Sequence, residues 1–187
     1  PDTYGNVQSY GPQYGWIVGK YMTRPRTDRA AILYYPVGDT NSYGLVTVSV
    51  MKSSIAKKGG LTVRLRKGDH PLLQNSAINP LQSLNHQFII DTAEGINIRT
   101  NSLTPNFRWF TQYEDLGMQR SNLAVANYDG NKWDYGKTVL STDSLASSYI
   151  WGNNIVGTFQ IGNTGTSPSI DYGPDSLTVC PNSSAVF

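Results

Sequence analysis

Hydrophobic and polar positions alternate with a period of two along much of the chain. In Leu45-Val46-Thr47-Val48-Ser49-Val50-Met51 the valines share one face and Thr47 and Ser49 the other, and Leu61-Thr62-Val63-Arg64-Leu65-Arg66 repeats the pattern. Both segments predict half-buried strands, with Arg64 and Arg66 facing outward. The segment between them, 52–60, ends in Gly59-Gly60 and predicts a long hairpin loop joining two antiparallel neighbours. Shorter segments of the same character predict strands at 16–21, 30–35, 87–91, 96–100, 106–111, 123–128, 137–140, 148–151, 155–161 and 176–180. Only Asn79-Pro80-Leu81-Gln82-Ser83-Leu84-Asn85-His86 carries a helical signature, with Pro80 placed for a first turn. The expected fold is therefore all-β: a single antiparallel sandwich or barrel of about a dozen short strands, with at most one or two helical turns.

Composition supports this class. Gly, Ser, Thr and Asn make up 67 of 187 residues, which suits turns and strands, whereas Glu94 and Glu114 are the only glutamates to build a helical surface. Hydrophobic residues at 39% and aromatic residues at 11% are enough for one domain's core, so disorder is not expected. The first fifteen residues, with Tyr4-Gly5, Tyr10-Gly11 and Tyr14-Gly15, form a biased leading segment expected to wrap the body. The start at Pro1 suggests a piece cut from a larger protein. No apolar run reaches the roughly 18 residues of a membrane span, so membrane insertion is not expected.

Candidate chemistry is sparse. Cys180 is the single cysteine, which excludes an intrachain disulfide, and it reads as a small hydrophobe in a strand. His70 and His86 are too far apart in sequence for a metal motif, and no metal or other cofactor is expected. A serine nucleophile elbow fails at Gly165-Thr166-Ser167-Pro168-Ser169, where Pro interrupts the motif. Glycoside hydrolysis would need two carboxyls across a sugar, and Glu94 and Glu114 are the first suspects, with Asp91 or Asp115 beside them. Both glutamates sit in turn-like sequences, so no catalytic residue is assigned; the alternative readings are a carbohydrate-active enzyme and a microbial carbohydrate-binding module or adhesin. Lys67-Gly68-Asp69 matches a short integrin-type tripeptide, and Asn182-Ser183-Ser184 is the only glycosylation sequon.

Charge divides the chain: residues 1–70 hold 10 Lys/Arg against 4 Asp, and the remainder 5 against 9 acids. Without a recognised nucleic-acid motif or interleaved stacking aromatics, the basic half reads as a solvated strand face and nucleic acid is not an expected partner. Arg24, Arg26 and Arg29, between Tyr21 and Tyr34, are candidates to hold an acidic sugar.

Aromatic placement carries the functional reading. Six of the twelve tyrosines precede a glycine, a pairing that lets the backbone turn while the ring stays half buried. The sharpest hairpin is Asn127-Tyr128-Asp129-Gly130-Asn131-Lys132-Trp133, where Asp129-Gly130 is expected to supply positive φ angles and to bring Tyr128 and Trp133 together at a tip. Tyr128, Asp129, Asn131 and Trp133 thus form the best local supply of glycan contacts, with Arg24 and Arg26 as a second group and the aromatic segment 106–113 as a further local supply. Phe107 and Trp109 are expected in the core.

The short strands, the abundance of Asn, Thr, Ser and Tyr, the single thiol and the start at Pro1 together resemble, in composition over the whole chain, receptor-binding spikes of non-enveloped virus capsids such as astroviruses. They are equally similar to phage tail-fibre tips. The resemblance implies a β-rich virion-surface module that self-associates as a homodimer or homotrimer and binds a host-cell glycan or protein receptor.

Overall fold

Wherever apolar and polar residues alternate most regularly, the chain is extended. The computed structural model describes residues 15–52, 54–99, 103–135, 137–141, 145–149 and 155–165, with 137–141 and 145–149 as strand backbone. The predicted strand at 176–180, Cys180 and the sequon at Asn182 lie outside the described residues, as does nearly all of the leading segment. Fifteen strands run through the described residues. They are β1 (Ile17–Val18), β2 (Tyr21–Thr23), β3 (Ala31–Gly38), β4 (Tyr43–Val50), β5 (Ile55–Lys57), β6 (Gly60–Lys67), β7 (Ile78–Ser83), β8 (His86–Ala93), β9 (Asn97–Ile98), β10 (Leu103–Arg108), β11 (Leu123–Tyr128), β12 (Trp133–Tyr135), β13 (Lys137–Ser141), β14 (Leu145–Tyr149) and β15 (Gly157–Thr164). Helical structure among the described residues is limited to three 3-10 turns.

The strands form two main sheets, with a two-stranded β5-β9 ribbon beside them. Sheet A has the order β1-β3-β4-β10-β14-β13, and sheet B the order β12-β11-β15-β8-β6-β2, with β7 also on β15. All pairings are antiparallel except β1 with β3. The fold is thus the expected antiparallel all-β arrangement, realised as a sandwich and not as a closed barrel.

The inner faces meet in one core. Tyr35, Val37, Val46, Val48 and Phe107 from sheet A pack with Leu61, Val63, Phe88, Ile90 and Phe159 from sheet B, and all ten have no exposed surface. Phe107 lies between Phe88 and Phe159, with ring centroids 5.0 and 4.9 Å away, so one β10 side chain ties two strands of the opposite sheet. Burying such a ring contributes about 1.5–3 kcal/mol. Gly44 makes room for the Phe88 ring: a Cβ there would sit 2.8 Å from it.

Three expectations are corrected. The segment 52–60 is no hairpin loop between neighbours, because β4 pairs with β3 and β10 whereas β6 pairs with β8 and β2. Each of these valine-rich strands has one apolar face to bury, and facing each other across the core buries both; the connection itself forms β5. The helical signature at 79–86 is overridden by strands β7 and β8. Pro80 fits there because β7 aligns with β15 only at Ser83 and Ile78, with an irregularity between, so the missing N–H breaks no regular ladder. The strand expected at 106–111 begins earlier, at Leu103, and ends at Arg108, where Trp109 and Phe110 lead into a 3-10 turn. Phe107 and Trp109 are both buried, as expected.

Candidate functional site

The hairpin tip forms much as the sequence implies, with a different turn. Tyr128 pairs with Trp133, leaving a four-residue connection closed by a hydrogen bond from the Asp129 N–H to the Lys132 carbonyl, 3.2 Å. Gly130 alone takes a positive φ, 102°. Asp129 instead serves through its side chain: Oδ1 accepts the N–H groups of Asn131 and Lys132 at 2.8 and 2.9 Å. These two bonds hold its carboxyl below the usual carboxylate range. Asn131 is exposed at the turn.

The polar ends of the two aromatic residues are likewise engaged by backbone. The Tyr128 hydroxyl donates to the Gly130 carbonyl and Trp133 Nε1 to the Leu72 carbonyl, both at 3.1 Å. Trp133 also packs on a small second core of Leu73, Ile78 and Ala126, outside the sandwich. His70, which the sequence offered only as half of a rejected metal pair, completes the group. Its ring centroid lies 4.7 Å from that of Tyr128 and 5.0 Å from that of Trp133, while Tyr128 and Trp133 are 5.2 Å apart. All three rings are partly exposed, so they form a fixed aromatic corner on the outer face of sheet B.

Strand register carries this corner across the sheet. Trp133 pairs with Tyr128, Tyr128 with Thr158, Thr158 with Ile89, and Ile89 with Arg64. The outer row therefore runs from two aromatic rings over Thr158 and Ile89 to an exposed arginine. Three strand spacings separate Tyr128 from Arg64, about 14 Å. Arg66 stands two residues along β6 on the same face, and its charge helps, after burial, to hold the His70 pKa below its ordinary value. Neither Arg64 nor Arg66 forms an ion pair among the described residues.

The second predicted group lies elsewhere. Arg24 and Arg26 follow β2, at the opposite edge of sheet B from β12, in a cleft of about 310 Å³ shared with Asp28 and Lys58. Both guanidinium groups already grip carboxylates. Arg24 binds Glu94 through Nε at 2.6 Å and through a second nitrogen. Arg26 binds Asp28 at 2.9 and 2.7 Å, a bond that pulls the Asp28 pKa down to about 2. The two candidate groups thus stand at opposite edges of sheet B, and the cleft's arginines have carboxylates beside them that an acidic sugar would have to share.

The glutamates are separated as well. Glu94 follows the end of β8, whereas Glu114 bridges to Leu84 just before its start. An eight-residue strand lies between them, about 25 Å long. A carboxyl pair acting on one glycosidic bond spans at most about 9.5 Å. Glu114 accepts Trp109 Nε1 at 2.8 Å and pairs with Arg120 at 3.0 Å, as a support for the 3-10 turn. In Lys67-Gly68-Asp69, Asp69 Oδ1 accepts the Ser83 hydroxyl at 2.8 Å and Gln160 Nε2 at 3.1 Å, so the aspartate faces inward and is not displayed.

One buried polar residue escaped the sequence reading. His86 is 3% exposed, and neither ring nitrogen has a hydrogen-bond partner. Asp39 Oδ2 stands 3.7 Å from Nε2, and the ring meets Tyr113 edge-on at 4.7 Å. Burial holds the His86 pKa below its ordinary value, against the opposing pull of Asp39. Of the Tyr-Gly pairs, Tyr43 is buried against Trp16 and Phe110, whereas Tyr135 is 44% exposed and accepts the Ala77 N–H at 2.6 Å. Comparison with protein-family models, curated proteins and solved structures finds no match for the chain.

Proposed function

We propose that this chain is a non-catalytic attachment domain that binds a host-cell glycan through the aromatic corner of sheet B. The observation that carries the reading is the state of Tyr128, Trp133 and His70. Their rings reach the surface, while the Tyr128 hydroxyl and the Trp133 N–H are tied to backbone carbonyls. Rings fixed in this way bind at little further entropic cost, and their faces suit the C–H surface of a pyranose ring. Asn131 at the tip supplies an exposed amide for sugar hydroxyls.

The setting we propose is a virion surface, as a capsid spike or fibre tip, with the domain self-associating as a homodimer or homotrimer. Composition and the exposed polar turns support that setting. A glycan array probed with the purified chain, together with its mass in solution, tests the proposal. Expected are retention of defined glycans by the wild type, loss of signal in Trp133→Ala, and unchanged binding in Glu94→Gln and Glu114→Gln. A monomer that retains no glycan overturns the reading.

A further inference from the structure

Resting on the glycan-recognition reading above, we infer that the site extends beyond the aromatic corner along the outer row of sheet B and is built for an acidic oligosaccharide. The sugar ring would stack at Tyr128 and Trp133, and the carboxylate or sulfate of a neighbouring residue would meet Arg64 and Arg66. Register places these groups on one face, with Thr158 and Ile89 as a shallow floor between them. The span of about 14 Å suits a short oligosaccharide better than a single sugar.

The segment 68–70 walls one side of this floor. It is fastened to the sheet by Gln87 Nε2, which donates to the Gly68 carbonyl at 2.9 Å, and by the His70 N–H, which donates to Gln160 Oε1 at 3.1 Å. Gln87 and Gln160 are both buried, so the wall stands on groups that water does not reach. Charge then selects the ligand. Arg64 and Arg66 are exposed and without an ion-pair partner among the described residues, in contrast to the carboxylate-bound arginines of the cleft. A planar guanidinium offers two parallel N–H bonds to a carboxylate or sulfate.

Asp91 opposes this preference. It lies two residues beyond Ile89 on the same face of β8 and is exposed. An incoming anion is therefore steered to the side of Arg64 nearer Arg66.

The experiment measures binding of the wild-type chain to a sulfated heparin tetrasaccharide, to sialyllactose and to lactose, at two salt concentrations. At least one acidic probe is expected to bind about tenfold or more tightly than lactose, and to weaken as salt rises. The paired substitution Arg64→Gln with Arg66→Gln is expected to remove that advantage while leaving lactose binding and the melting temperature unchanged. Asp91→Asn is expected to strengthen acidic binding by about twofold. Which acidic probe responds separates sulfate from carboxylate recognition. Equal affinity for acidic and neutral probes, or a double variant that binds like wild type, overturns the acidic-row inference and leaves the glycan reading standing. Failure of all three probes, and of the wider array, overturns both.

Discussion

Two clusters of three aromatic rings, with nearly equal spacings, sit on opposite sides of sheet B. Inside the sandwich, Phe88, Phe107 and Phe159 pack at 4.9–5.0 Å with no exposed surface. Outside it, His70, Tyr128 and Trp133 pack at 4.7–5.2 Å and remain partly exposed. Ring geometry is thus shared, and the surroundings decide the use. The inner cluster has apolar neighbours on every side and serves stability. The outer one keeps partly exposed ring surface, with the Tyr128 hydroxyl and the Trp133 N–H bonded to backbone carbonyls, and it is there that we place ligand binding.

Substitutions separate the two roles. The largest stability effect is expected from Phe107→Ala, a loss of about 3–5 kcal/mol read by denaturant unfolding, because the ring ties both sheets. Trp133→Ala empties part of the small outer core and is expected to cost about 1–3 kcal/mol while abolishing glycan binding.

The two histidines sharpen the contrast through pH. His86 is enclosed, and its folded pKa lies below its unfolded value of about 6.5. The stability gained by keeping it neutral is complete above that value and is lost as pH falls below it. Asp39, on the loop after β3, and Lys67, on β6, are the charged groups acting on it, the first favouring and the second opposing protonation. Thermal melts from pH 7 to 5 are expected to fall less steeply for His86→Phe than for wild type; parallel slopes would remove His86 as the cause. The smallest stability effect is expected from Arg64→Gln with Arg66→Gln, within about 0.5 kcal/mol, since both residues are exposed and neither forms an ion pair among the described residues.

How far the sequence reaches follows from the range of each signal. The β11 boundaries at Leu123 and Tyr128 match the predicted strand, because alternation is a local property. Arg64 and Arg66 were legible as outward positions for the same reason. Residues 79–86 misled because Pro80 favours a helical first turn locally, whereas the edge position of β7, set by distant β15, made it harmless. The tip was legible through Asp129-Gly130, but not the way His70 closes over it, which depends on Gln160, 90 residues away. That Arg64 shares a row with Tyr128 is a consequence of three strand pairings, none encoded within either segment.

The central claim is that the rings outside the sandwich bind while those inside only support. It is tested most directly by measuring glycan binding and melting temperature together for Tyr128→Ala, whose ring contacts His70 and Trp133 at the surface. We predict a folded chain that melts cooperatively, within a few degrees of wild type, and has lost its glycan signal. A Tyr128→Ala chain that binds the same glycans at wild-type strength would contradict the account.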